Sequence, residues 1–89
     1  MNDTLENWRK QIDALDRELL QILSHRMDIV KKIGAYKKKN RIPPLDEKRW
    51  KEVLDSQLSR ANIFHLSKDF VLKFYNAIHE YALEIERNI

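Results

Sequence analysis

The sequence predicts an all-α domain of three helices, one of them very long. Its 89 residues include one Gly, two Pro and 35% charged residues, a composition typical of a nearly all-helical chain. Apolar residues recur at spacings of three and four, which is the period of one helical face. A proline pair and two good capping residues divide this pattern into three segments. We expect residues 1–89 to form a single domain.

The first helix is predicted to run from Asp3 or Thr4 to about Lys39. One face carries ten positions at alternating spacings of three and four, and nine of them are apolar. We call these nine residues the apolar seam: Leu5, Trp8, Ile12, Leu15, Leu19, Ile22, Ile29, Ile33 and Tyr36. Asn40 and the pair Pro43 and Pro44 end the helix, because proline lacks an amide hydrogen and restricts the residue before it.

Two shorter helices follow. Asp46 is a favourable N-cap for a second helix over about 46–60, and Ser67 for a third over about 68–87. Each has one apolar side, formed in the second helix by Trp50, Val53, Leu54, Leu58 and Ala61, and in the third by Val71, Phe74, Ile78, Tyr81 and Ile85.

The length of the first helix predicts an intertwined homodimer. Some 36 helical residues span about 54 Å, whereas a compact domain of this size has a radius of gyration of about 12 Å. Two shorter helices cannot cover such a rod, so the long helices should pack against each other or against the partner's helices.

The tenth position on the seam face is Arg26. A buried guanidinium costs several kcal/mol unless an anion compensates it, and the residues at i±3 and i±4 include no acid. Lys37 lies on nearly the same face and also lacks a local acid. The missing anion is therefore a ligand, or for Arg26 an acid from another helix such as Glu80 or Glu84.

Composition excludes several classes of protein. Without cysteine there is no disulfide framework, and charges interrupt every apolar run, so we expect a cytoplasmic chain without signal peptide or membrane span. The net charge of +3 is concentrated in a lysine-rich stretch over 31–41, which fits a solvated face better than a nucleic-acid site. Neither metal-ligand spacing nor a hydrolase triad is present, and His25, His65 and His79 stand apart.

Five polar positions, a helix break and the total length form one pattern along the whole chain. Arg9 lies in WRKQIDALD, Arg26 in HRMDIVKKIGAYK, which Lys37 closes, and Asp46 and Arg49 in PPLDEKRW. This pattern resembles the all-α class of chorismate mutases, a family that also includes isochorismate-pyruvate lyases. The resemblance implies an interlocked dimer with two identical sites, in which Arg9 reaches the partner's site.

The implied reaction rearranges chorismate, a small dicarboxylate, to prephenate in aromatic amino acid biosynthesis. It is pericyclic, so no cofactor or metal is implied. The protein holds the reactive conformer and stabilises charge on the ether oxygen. By resemblance, Arg9 and Arg26 would bind carboxylates and Lys37 would donate to the ether oxygen. Arg49 would hold ring-side groups or orient acids, and Asp46 would position Lys37 or the substrate hydroxyl.

Three positions depart from the family pattern. Trp50 stands where many mutases carry a glutamate, Ala82 where a serine is common, and Glu86 where a glutamine usually donates to the ether oxygen. Glu86 can donate a hydrogen bond only while protonated. The lyases also lack the glutamate at the position of Trp50. Two alternatives therefore stay open: an isochorismate-pyruvate lyase, and a mutase-like dimer that serves regulation or interaction.

Overall fold

The computed structural model describes residues 3–89 and contains three helices, α1 (Asp3–Lys39), α2 (Glu47–Ile63) and α3 (Lys68–Arg87). No strand occurs among the described residues, so the predicted all-α class and its three helical segments are confirmed. The second helix ends three residues later than predicted. None of the three helices is long and apolar enough to cross a membrane.

The N-caps predicted for the two shorter helices are confirmed. The backbone amide of Arg49 donates to Oδ1 of Asp46 at 3.0 Å, and that of Phe70 donates to Oγ of Ser67 at 3.2 Å. Each cap satisfies one of the amides that the first turn of a helix leaves unpaired. Asp46 therefore has a structural role in addition to its predicted place in the site.

The turn after α1 brings the proline pair back toward the end of that helix. Arg41 has a positive φ of 57°, and its amide donates to the carbonyl of Lys38 at 3.3 Å. The amide of Ile42 donates to the carbonyl of Lys37 at 2.8 Å. These two bonds form a Schellman motif, here with arginine in the left-handed position that glycine or asparagine usually takes. The following segment, with Pro44, consequently returns to the face of Lys37.

The core lies where α3 packs against α1, while the other side of α3 packs against α2. Its buried members are Met27, Val30, Ile78 and Ala82, and Leu23, Phe74, Tyr75 and Ile85 pack against them. Met27 and Val30 each follow a seam-face position by one residue. The stripe of α1 that is buried within the chain is thus displaced from the apolar seam, because α3 approaches α1 from beside the seam.

The apolar seam itself is exposed in the single chain. Trp8, Ile12 and Leu15 retain 61%, 56% and 57% of their accessible surface, and all nine seam residues are classed as exposed. The expected burial of the seam is therefore not met within one chain. From residue 3 to residue 22, every residue except Ala14 is exposed. The amino-terminal half of α1 has no packing partner among the described residues.

The uncovered half of α1 also explains the dimensions of the chain. It extends 60 × 25 × 15 Å, with a radius of gyration of 16.8 Å, where a compact domain of this size would have about 12 Å. The excess is the uncovered half of α1. Burying the exposed apolar residues there would require a surface from outside the chain.

Candidate active site

A pocket of about 350 Å³ lies among the three helices, beside the core. Side chains from α1, α2, α3 and the segment between α1 and α2 line it. The lining includes seven of the eight predicted site residues: Arg26, Lys37, Asp46, Arg49, Trp50, Ala82 and Glu86. Residues distant in sequence therefore meet in one concave, strongly charged site, as the ligand hypothesis requires.

Arg9 is the predicted site residue that lies elsewhere. Its guanidinium is exposed and forms an ion pair with Glu6 at 3.1 Å. Arg9 precedes Arg26 by 17 residues on the same helix, a rise of about 25 Å. Arg9 cannot reach this pocket within its own chain.

Arg26 is half-buried, and one of its guanidinium nitrogens is buried without a partner. Its Nη1 atom is buried and has no hydrogen-bond acceptor among the described residues. The salt bridges among those residues do not involve Arg26, so neither Glu80 nor Glu84 neutralises it. Leaving a buried donor unpaired costs about 1–3 kcal/mol, and more for a charged group. The pocket therefore favours an anion at this point.

Lys37, in contrast, has an anion within the chain. Its Nζ lies 2.8 Å from Oε1 of Glu86 and donates to the carbonyl of Pro44 at 2.6 Å. Lys37 has no acid among its helical neighbours, as predicted, but the inference that its anion is a ligand is wrong for the single chain, because Glu86 of α3 supplies the carboxylate. Both side chains are largely buried, with 18% exposure for Lys37 and 9% for Glu86.

The Lys37–Glu86 pair is close but not ideally directed. Oε1 of Glu86 is buried and receives no hydrogen bond among the described residues, although the ammonium lies 2.8 Å away. The contact is an ion pair whose angles fall outside those of a hydrogen bond. This oxygen is therefore held by charge attraction to Lys37, and its lone pairs can still accept a directed hydrogen bond.

Gly34 permits this arrangement by letting α3 approach α1 closely. It is buried, and a Cβ at this position would lie 3.1 Å from Cγ and 3.2 Å from Cα of Glu86, and would clash with the side chain of Ile89. Close approach of a substrate or of a crossing helix would each explain a glycine within α1. The crossing helix does, and it carries Glu86.

The residues of α2 form the opposite side of the pocket. Arg49 lies 3.9 Å from Glu52, but both side chains are mostly exposed, and such a pair contributes little. The guanidinium of Arg49 is therefore only loosely held by the protein. Asp46 lies at the start of the same helix as its N-cap.

Trp50 stacks on His79, a pocket residue that the sequence analysis did not select. The two rings lie 3.8 Å apart at 6° to each other, and both line the pocket. Burial lowers the pKa of His79, with Arg26 and Arg87 acting in the same direction and Glu86 and Glu80 in the opposite one. The signal that identifies His79 in the sequence is its spacing of three from Ala82 and seven from Glu86, which places it on the site face of α3.

A family comparison agrees with this geometry. The model of the family "chorismate mutase type II" matches residues 8–87, which is most of the chain. The chain belongs to the chorismate mutase type II family. The match includes both the uncovered half of α1 and the pocket.

Individual relatives are distant. The chain is 29% identical to the T-protein of Haemophilus influenzae over 78% of its own length and 18% of that protein. It is 27% identical to the bifunctional chorismate mutase/prephenate dehydratase of Aquifex aeolicus, covering 98% of this chain and 25% of that protein. The chain thus spans a quarter or less of these two relatives.

Two further relatives are closer to this chain in length. A 4-amino-4-deoxychorismate mutase of Streptomyces venezuelae is 30% identical over 83% of this chain and 72% of that protein. A solved structure of a conserved hypothetical protein from Pyrococcus furiosus has a TM-score of 0.74 and 30% identity, and the match covers 97% of this chain and 99% of that one. The long helix followed by two shorter ones is therefore an arrangement shared with a solved structure.

Proposed function

We propose that this protein is a chorismate mutase that rearranges chorismate to prephenate. The observation that carries the proposal is the buried, unpaired Nη1 atom of Arg26 in a pocket that also contains Lys37. A carboxylate of the substrate would supply the missing anion through charge-assisted hydrogen bonds. The family membership of the chain supports chorismate as the substrate among small dicarboxylates.

Lys37 and Glu86 would act on the breaking bond. In the rearrangement a carbon–oxygen bond breaks while a carbon–carbon bond forms, and negative charge develops on the ether oxygen. An ammonium has three donors; here one is directed at Pro44 and one faces Glu86, which leaves one for the ether oxygen. A donor aimed at developing charge in a site shielded from water stabilises the transition state more than the ground state.

Glu86 would assist only in its protonated form. An ionised carboxylate would repel the charge on the ether oxygen, whereas a carboxylic acid can donate a hydrogen bond to it. The proton would have to sit on the carboxyl oxygen that does not face the Lys37 ammonium, since Oε1 lies 2.8 Å from Nζ. Asp46 and Arg49 would contact the ring side of the substrate, beside Trp50 and Ala82.

The active form would be an intertwined homodimer, with Arg9 completing the partner's pocket. The exposed apolar seam supports association, because most of its large side chains lie on the half of α1 that no other helix covers. A second, mainly apolar groove of about 570 Å³ between α1 and α3 adds surface for a partner helix; it includes Leu20, Leu23, Phe74, Tyr81 and Ile85. Arg9 is then free to exchange Glu6 for a substrate carboxylate in the other chain.

The test of the proposed activity is product identification. The protein would be incubated separately with chorismate, isochorismate and 4-amino-4-deoxychorismate, and the products separated by chromatography. We expect prephenate from chorismate, and loss of that activity in Arg26→Ala. Salicylate and pyruvate from isochorismate would instead establish the lyase, and preferential turnover of the amino compound would assign the substrate named for the Streptomyces relative. No turnover of any of the three would favour the interaction module.

A mixing experiment tests the shared site. Arg9→Ala and Arg26→Ala chains, each inactive alone, would be refolded together and the heterodimer purified through two different affinity tags. One of its two sites would carry both defects and the other neither, so we expect about half of the parental activity per dimer. The two homodimers carried through the same procedure are the controls. A verified heterodimer without activity would mean that the two arginines do not act across the interface.

A further inference from the structure

His79 is held in the pocket with its ring nitrogens uncommitted. Its imidazole is stacked on Trp50, and the nearly parallel rings fix the plane of the imidazole. Among the described residues, none of the side-chain hydrogen bonds involves His79. An imidazole always has at least one N–H donor, and two when it is protonated. The stack thus leaves a positioned donor at the wall of the pocket.

His79 is also the side chain of α3 best suited to meet an anion bound at Arg26. The pocket residues of α3 are His79, Ala82, Leu83 and Glu86. The side chains of Ala82 and Leu83 offer no polar group, and the carboxyl group of Glu86 faces Lys37. Glu86 lies two helical turns beyond His79, about 10 Å along the axis, where it pairs with Lys37.

The charges around His79 make its protonation dependent on what Arg26 binds. Without a ligand, burial and the cations Arg26 and Arg87 lower the pKa of His79, while Glu86 and Glu80 raise it. Lys37 from α1, and Asp46 and Arg49 from α2, complete the charged groups of the pocket. A carboxylate on Arg26 would offset that cation and add a negative charge beside the imidazole. Both changes favour the imidazolium.

We propose that His79 is a substrate-binding residue, which joins Arg26 in binding one carboxylate of the ligand and takes up a proton as that carboxylate binds. The choice of a chorismate-like ligand rests on the proposed function; the anion-binding role of His79 does not. Trp50 supports the protonated state, because a cation stacked on an indole face is stabilised by the ring. His79 would supply the polar contact that Ala82 lacks.

Nuclear magnetic resonance of the imidazole side chains tests the proposal directly. The signals of His79 are assigned by their loss in His79→Phe, which keeps an aromatic ring for the stack, and titrated with and without saturating prephenate or benzoate. We expect the pKa of His79 to rise in both complexes, and His79→Phe to bind prephenate about tenfold or more weakly, the loss expected for one charge-assisted hydrogen bond. His25→Gln, an exposed histidine outside the pocket, is the matched control and should bind as the parent does.

The outcomes distinguish failure of this proposal from failure of the proposed function. Bound prephenate that leaves the titration of His79 unchanged would overturn the proposal while the mutase activity stands. A protein that does not turn over chorismate, yet raises the pKa of His79 on binding benzoate, would support the proposal and refute the activity. Binding of neither compound would overturn both. Equal prephenate affinity in His79→Phe and the parent would also count against a contact between His79 and the ligand.

Discussion

Replacing Gly34 by alanine tests whether close contact between α1 and α3 maintains the site. The substitution adds one methyl group at the crossing of the two helices. That methyl would lie 3.1 Å from Cγ and 3.2 Å from Cα of Glu86, and would overlap the side chain of Ile89. The side chain of Ile89 can rotate away at small cost. The Cα of Glu86 is part of the α3 backbone, so relieving that contact requires the helix to shift.

Two opposing effects determine how much Gly34→Ala changes the free energy of unfolding. Alanine is better than glycine in a helix interior by about 1 kcal/mol, while an added methyl in a packed contact typically costs about 1–3 kcal/mol. Because the added methyl contacts the backbone of α3, which a side-chain rotation cannot relieve, we expect a cost in the upper part of that range. We therefore expect Gly34→Ala to lower the free energy of unfolding by about 1 kcal/mol. A shift of α3 would also move Glu86 relative to Lys37 and reduce kcat.

Urea unfolding at one fixed protein concentration measures this effect, since association also contributes to apparent stability. Ala35→Gly is the control: this neighbouring exposed position should lose about 1 kcal/mol from helix propensity alone. If Gly34→Ala were more stable than the parent by a similar amount, propensity would dominate and the crossing would not require glycine. If Gly34→Ala were destabilised but kept the parental kcat, Gly34 would not be needed to position Glu86.

Three further predictions concern the site and the association of chains. Arg26→Ala should reduce kcat/KM at least a hundredfold, the loss of about two charge-assisted hydrogen bonds, while its stability should equal or exceed that of the parent. Turnover assays and urea unfolding measure the two effects, and an unfolded variant would argue for a structural arginine. Glu86→Gln replaces a side chain that can donate a hydrogen bond only while protonated with a permanent donor, so kcat at neutral pH should rise; an unchanged kcat would remove Glu86 from the reaction. Leu15 is 57% exposed in the single chain, so Leu15→Glu should weaken association without unfolding the helix, and sedimentation should reveal smaller species with helicity retained. The control Gln21→Glu, on the opposite face of α1, should sediment like the parent.

The bounds of the three helices illustrate how much the local sequence pattern conveys. Helix bounds follow from local chemistry, namely Asp46 and Ser67 as caps, the proline pair as a break, and the three-four spacing of apolar residues. The same pattern could not tell which stripe of α1 meets α3, because the seam and the neighbouring stripe with Met27 and Val30 are both apolar. That choice depends on the direction from which α3 approaches.

The sequence by itself determined the three helices, the excess length of α1 and the absence of a local counter-charge at Arg26, because each depends on neighbours within a few helical turns. Only the tertiary structure decided that Glu86 pairs with Lys37, that Gly34 serves the crossing of α1 and α3, and that Trp50 stacks on His79. These contacts join residues about 30 to 50 positions apart, and helical periodicity carries no information at that separation. The physical reason is that a helix specifies its own faces, whereas packing of one helix on another selects which charges and rings meet.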